Sequence, residues 1–124
     1  MDLQELKISL LDMEKRLDDI KDNVLSIESK KIRLDEIDKK LSKEEVWSDL
    51  ELSQKLSKEK TIIEKTLISF EEVSNKLSDS IVLLELSVEE NDDSSIEDIL
   101  KEANAVMASI EEFEFSRMFK NKMD

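Results

Sequence analysis

A chain of 124 residues suffices for one domain with one core and is too short for two comfortable ones. It holds 41% charged and 39% hydrophobic residues, a balance that suits helices with narrow buried stripes, and it contains no glycine, proline, cysteine or histidine. Those absences remove the usual residues of hairpin turns and phosphate loops, disulfides, thiolate and imidazole catalysis and the commonest zinc ligands, while a net charge of −13 disfavours nucleic acid and favours a basic protein as partner.

Leu3, Leu6, Leu10, Met13, Leu17, Ile20, Val24 and Ile27 step by three and four residues. This spacing predicts a first helix over residues 2–26 whose seam mates with another helix. After Ser26 the register slips, so a turn is expected near residues 26–28. A shorter helix follows over 29–42, with Ile32, Leu34, Ile37 and Leu41 as its stripe and with Glu36–Lys40 and Asp35–Lys39 as surface pairs.

Ser42-Lys-Glu-Glu45 and Ser48-Asp-Leu-Glu51 read as two capping boxes, with Val46 and Trp47 between them. The economical reading is a corner in which both Val46 and Trp47 tuck inward. From there a long helix is predicted over 49–90. Leu56, Ile63, Phe70, Leu77 and Leu84 recur every seventh residue, and Leu67, Ile81 and Val88 fill the companion seam. At about 1.5 Å per residue such a helix runs roughly 60 Å and cannot shelter its own seam.

Between Glu85 and Asp98 there are seven acids and no base. An EF-hand is excluded because its loop needs a glycine, so this stretch reads as a solvated turn. Ser94-Ser-Ile-Glu97 is a third capping box, opening a last helix over 94–119 with Ile96, Ile99, Ala103, Val106, Ile110 and Phe113 as its seam and Leu100 and Met107 widening it. Ala103, Ala105 and Ala108 are expected to allow close approach to the long helix. Phe115, Met118 and Phe119 are apolar beyond what that seam requires. The expected fold is all-α, an elongated antiparallel helical bundle or hairpin with coiled-coil-like packing and about four helices, forming a single domain over 1–124.

Lys30-Lys-Ile-Arg-Leu-Asp-Glu-Ile37 followed by Val46-Trp-Ser-Asp49 resembles the N-terminal domain of bacterial peptide chain release factor 2. The likeness continues through Lys58-Glu-Lys60, returns at Leu83-Leu-Glu-Leu-Ser-Val-Glu-Glu90, and ends in Phe113-Glu-Phe-Ser-Arg-Met-Phe119. The order of these matches, and the corner and ending in particular, favour factor 2 over factor 1. The resemblance implies a part of a translation termination factor whose whole form reads UGA or UAA and triggers hydrolysis of peptidyl-tRNA. The family's Gly-Gly-Gln and Ser-Pro-Phe motifs have no counterpart in a chain without glycine or proline. The expectation is therefore an N-terminal domain alone, not an enzyme, with no catalytic, cofactor-binding or metal residues and no assigned binding residues. Its implied partners are the ribosomal stalk-base protein and the GTPase release factor.

No apolar run approaches a membrane span and no basic leader is present, so the chain reads as cytoplasmic, without membrane contact and monomeric. Two other classes compete with the docking reading. One is a coiled-coil structural or oligomerisation protein. The other is an RNA-binding helical module using Lys30, Lys31, Arg33, Lys39, Lys55 and Lys58, since residues 28–45 are neutral and the segment around Lys55, Lys58, Lys60 and Lys65 is locally positive.

Overall fold

The computed structural model describes residues 2–123, with side chains described through residue 116. Five helices occur among these residues and no strand does: α1 (Leu3–Asp19), α2 (Ile27–Leu41), the single turn α3 (Glu44–Trp47), α4 (Leu50–Glu89) and α5 (Ile96–Met123). The all-α expectation with four long helices is met. The helices group into two units. One contains residues 1–25 and 71–124, the other Ser26–Phe70, and α4 contributes to both.

In the first unit, α1 buries Leu6, Leu10, Met13 and Leu17, as its heptad dictates. Asp2 caps it by accepting the Glu5 N–H at 2.8 Å. The first predicted helix does not end as one α-helix. It widens into a π-helical turn, Ile20–Val24, closed by the Leu25 N–H donating to the Ile20 carbonyl at 2.8 Å. The extra residue keeps Ile20 fully buried and hands the chain to Ser26, whose φ of 48° lies in the left-handed region. A residue with a Cβ is strained there by roughly 1–2 kcal/mol. Ser26→Gly is expected to raise the unfolding free energy by up to about 1 kcal/mol, part of the relief being offset by the looser unfolded chain, and urea denaturation checks it.

On α5, Ile99, Ala103, Val106 and Ile110 are buried, with Ile96, Leu100, Met107 and Phe113 half-buried beside them, as the seam predicts. Ala105 and Ala108 are exposed instead, and the closest backbone approach of α5 is to α1 and the π-turn. They are two and five residues beyond Ala103, which swings them about 140 to 160° off the buried edge. Arg16 fixes the pairing of α1 with α5. Its Nε donates to Glu114 Oε2 at 3.1 Å, its Nη2 pairs with the other oxygen, and its Nη1 lies 3.4 Å from Met107 Sδ. The start of α1 lies with Asn91, Asp93 and Ile96 around one shallow depression, so α1 and α5 run parallel.

The second half of α4 buries Val73, Leu77, Ser80, Leu84 and Ser87, a four-three-four-three step. This corrects the expected companion seam. Ile81 is half-buried and Val88 is 38% exposed, while the small residues one position earlier face inward. The Ser87 hydroxyl donates to the Leu83 carbonyl at 3.0 Å, which lets a polar group be buried without loss. No break occurs at the serine and asparagine positions 74–80, and α4 is continuous from Leu50 to Glu89.

In the second unit, α2 and the first half of α4 pack around Ile37, Leu56 and Ile63, with Leu34, Leu41, Val46 and Leu67 against them. Ile32 does not join this stripe and is 62% exposed. It sits two residues before Leu34 and five before Ile37, on the opposite side of the helix. Asp49, not Ser48, caps α4, its Oδ1 accepting the Leu52 N–H at 3.2 Å. Ser42 closes α2, its hydroxyl donating to the Lys39 carbonyl at 2.6 Å, and so makes no capping box with Glu45. Trp47 is 57% exposed. Adjacent residues on a helical turn point about 100° apart, and Val46 takes the inward place.

Candidate protein-docking surface

Four basic residues of the second unit, Lys31, Arg33, Lys39 and Lys60, pair with acids of the same unit. Arg33 grips Glu59 with two bonds, Nε to Oε1 at 2.6 Å and Nη2 to Oε2 at 2.9 Å, and reaches Glu36 at 3.2 Å through Nη1. Glu36 therefore pairs backwards with Arg33 rather than with Lys40. Lys60 meets Asp38 at 2.7 Å, Lys39 meets Asp35 at 2.9 Å as the spacing predicts, and Lys31 lies 3.6 Å from Glu28. Lys55 and Lys58 are exposed on α4, whereas Lys30 is half-buried. Of the six residues proposed for RNA, Lys31, Arg33 and Lys39 are occupied in ion pairs within this unit. Arg33 and Lys60 thus join α2 to α4, while Lys31 and Lys39 pair within α2.

The Arg33 guanidinium holds the Glu59 carboxyl below its ordinary range, chiefly through the hydrogen bond, and Glu59 with Glu36 raises the arginine. Asp38 and Asp35 likewise raise Lys60 and Lys39. A depressed carboxyl contributes stability that is complete above its unfolded value and is lost as pH falls through its folded value. Glu59→Gln is therefore expected to be less stable than the native chain at pH 7. The difference should shrink as pH falls below the ordinary glutamate range and through the depressed folded value, measured by urea denaturation from pH 7 into the acid range.

The acidic connection after α4 has a different design. Asn91 adopts a φ of 53°, the Asp92 N–H donates to the Ser87 carbonyl at 2.9 Å, and the Asn91 N–H donates to the Val88 carbonyl at 3.2 Å. This is a Schellman closure in which asparagine takes the place usual for glycine. The Asp92 carboxylate accepts the Ser94 N–H at 2.9 Å, which keeps its acidity raised, so Ser94 belongs to this turn and the capping box expected there does not form. Glu97 and Asp98 occupy the first turn of α5, where the helix dipole favours them. Among the described residues no three acids are grouped as metal ligands would be.

From residue 77 to residue 100 the chain carries eight acids and no base. None of the eight makes an ion pair among the described residues, in contrast to the second unit. Within that run Val82, Leu83 and Leu86 are 54%, 39% and 48% exposed on the outer side of α4. Seam periodicity does not report this face, because it ranks the residues of α4 only by their place on the buried edge. The signal was present: three large aliphatics at i, i+1 and i+4 lie off the buried step of Val73, Leu77 and Leu84. Phe115 is also exposed, at 65%, whereas Met118 and Phe119 lie outside the described side chains. No described helix is long and apolar enough to cross a membrane.

No protein-family model matches the chain. Curated proteins do. Peptide chain release factor 2 of Xanthomonas euvesicatoria is 35% identical over 118 residues, covering 90% of this chain and 32% of that protein. The same factor from Stenotrophomonas maltophilia is 33% identical over 123 residues, covering 94% of this chain and 33% of its own length. That of Shewanella woodyi is 35% identical over 101 residues, covering 82% and 28%. The chain spans about a third of the length of the curated relatives it matches. Sequence likeness along nearly all of its 124 residues makes this chain a relative of peptide chain release factor 2.

Proposed function

We infer that this chain is the docking part of a translation termination factor, a helical arm that engages ribosomal protein while other parts of the factor would read UGA or UAA and trigger release of the peptide. Likeness to release factor 2 along 90 to 94% of the chain carries this reading. The absence of glycine and proline supports it further, since neither the Gly-Gly-Gln nor the Ser-Pro-Phe motif can be written in this sequence. On this reading the partners are the stalk-base protein of the ribosome and the GTPase release factor. Charge supports protein over RNA, because a surface with net charge −13 repels phosphates and releases few counterions on binding them.

The test is a termination assay on stop-codon-programmed ribosomes carrying a labelled peptidyl-tRNA. The chain alone is expected to bind the ribosomes saturably and to release no peptide above background. Stop-codon-dependent release by the chain alone would overturn the reading.

A further inference from the structure

We propose that the outer face of α4 around Val82, Leu83 and Leu86 docks a cationic amphipathic protein segment, one that offers aliphatic anchors flanked by lysine or arginine. The proposal rests on the docking function above and assigns it a surface. Its first support is exposure: three large aliphatic side chains stand together on one helix face, off the buried step of Val73, Leu77, Ser80, Leu84 and Ser87.

Its second support is charge. Asp79, Glu85, Glu89 and Glu90 surround the aliphatic residues on the same helix, all four exposed, and the nearest bases along the chain are Lys76 and Lys101. Elsewhere some acids are paired with bases, Glu114 with Arg16 and Glu28, Asp35, Glu36, Asp38 and Glu59 with bases of the second unit, whereas among the described residues none of the eight between residues 77 and 100 is so paired. Here the molecule leaves an apolar centre inside an acidic rim, the complement of a basic amphipathic segment. A second copy of this chain would bring the same acidic rim against itself. RNA and anionic lipid would likewise bring negative charge to a negative surface. A protein segment of opposite charge satisfies both the centre and the rim.

The test uses the full 124-residue chain, isotopically labelled, and a helical 14-residue peptide of leucine and lysine as the probe, with a leucine and glutamate peptide as control. Amide shifts should centre on residues 79–90 for the basic peptide and be absent for the acidic one. The triple variant V82S, L83S, L86S, whose changes are all on the exposed side, should retain its helical spectrum and bind about ten-fold more weakly or worse. Shifts centred elsewhere, such as on Trp47 and Leu50, or unchanged affinity in the folded triple variant, would overturn the proposal. So would a dimer in sedimentation that the triple variant dissolves, which would assign the face to a second copy. Pelleting with ribosomes separates this proposal from the functional reading. Native chain that pellets while the variant pellets equally well contradicts the assigned face alone. Native chain that does not pellet at all contradicts the docking function, whatever the peptide shows.

Discussion

Ile37→Ala is expected to destabilise the chain by about 2–4 kcal/mol and to loosen the second unit selectively. Ile37 is fully buried at the centre of a core whose other buried members are Leu56 and Ile63, so truncation leaves a void that few neighbours can fill. The ion pairs of Arg33 and Lys60 cannot substitute for that loss, because pairs this exposed are weakened by solvent and salt. Hydrogen exchange followed by mass spectrometry should show faster exchange across residues 27–70. Protection in α1 and α5 should be retained, since Leu6, Leu10, Ile99 and Ile110 form a separate buried set. Uniform loss of protection along the whole chain would show instead that the two units unfold as one.

Ser80→Leu is expected to destabilise by about 1–3 kcal/mol, against the expectation of a heptad rule that prefers leucine in a seam. Ser80 is 4% exposed on the inner edge of α4, where a longer side chain must displace packed neighbours. Val82→Leu, on the outer face, should change stability by no more than about 0.5 kcal/mol. Thermal or urea denaturation of the two variants checks both. If Ser80→Leu stabilised the chain, the inner edge of α4 would have to be Leu77, Ile81 and Val88, as hydrophobicity alone suggests.

This pair of alternatives shows where sequence periodicity serves and where it fails. Leu77, Ile81, Leu84 and Val88 step by four, three and four, and so do Val73, Leu77, Ser80 and Leu84. Spacing cannot choose between them, and hydrophobicity chooses the wrong one, because a buried serine that bonds its own helix reads as a surface residue. In α1 and α5 the two signals agree, and the seams from Leu6 to Ile20 and from Ile99 to Ile110 are legible in the sequence. Ile32 misleads for a simpler reason. It is apolar, but it lies two residues from Leu34, on the opposite side of the helix.

Termini and turns are legible in position and less so in detail. The slip at Ser26 marks the end of the first helix, but the π-helical turn before it depends on an i to i+5 bond that no residue pattern announces. Three Ser-x-x-Glu boxes suggested caps. The carboxylate of Asp49 takes one of those roles, and the turn around Asn91 and Asp92 replaces another. The candidate surface was the least legible part. Family resemblance named the stretch from Leu83 to Glu90, but only three dimensions separate Leu84 and Ser87, which are buried, from Val82, Leu83 and Leu86, which are not.

The claim that this chain docks on protein through the acidic face of α4 is tested most directly by crosslinking on the ribosome. A benzophenone amino acid placed at position 86, where Leu86 is 48% exposed, reports what the face touches when the chain is bound to stop-codon-programmed ribosomes. The account predicts saturable adducts with protein, lost when the leucine and lysine peptide is added in excess. Adducts confined to ribosomal RNA, or adducts formed from positions 55 and 58 and none from 86, would contradict it.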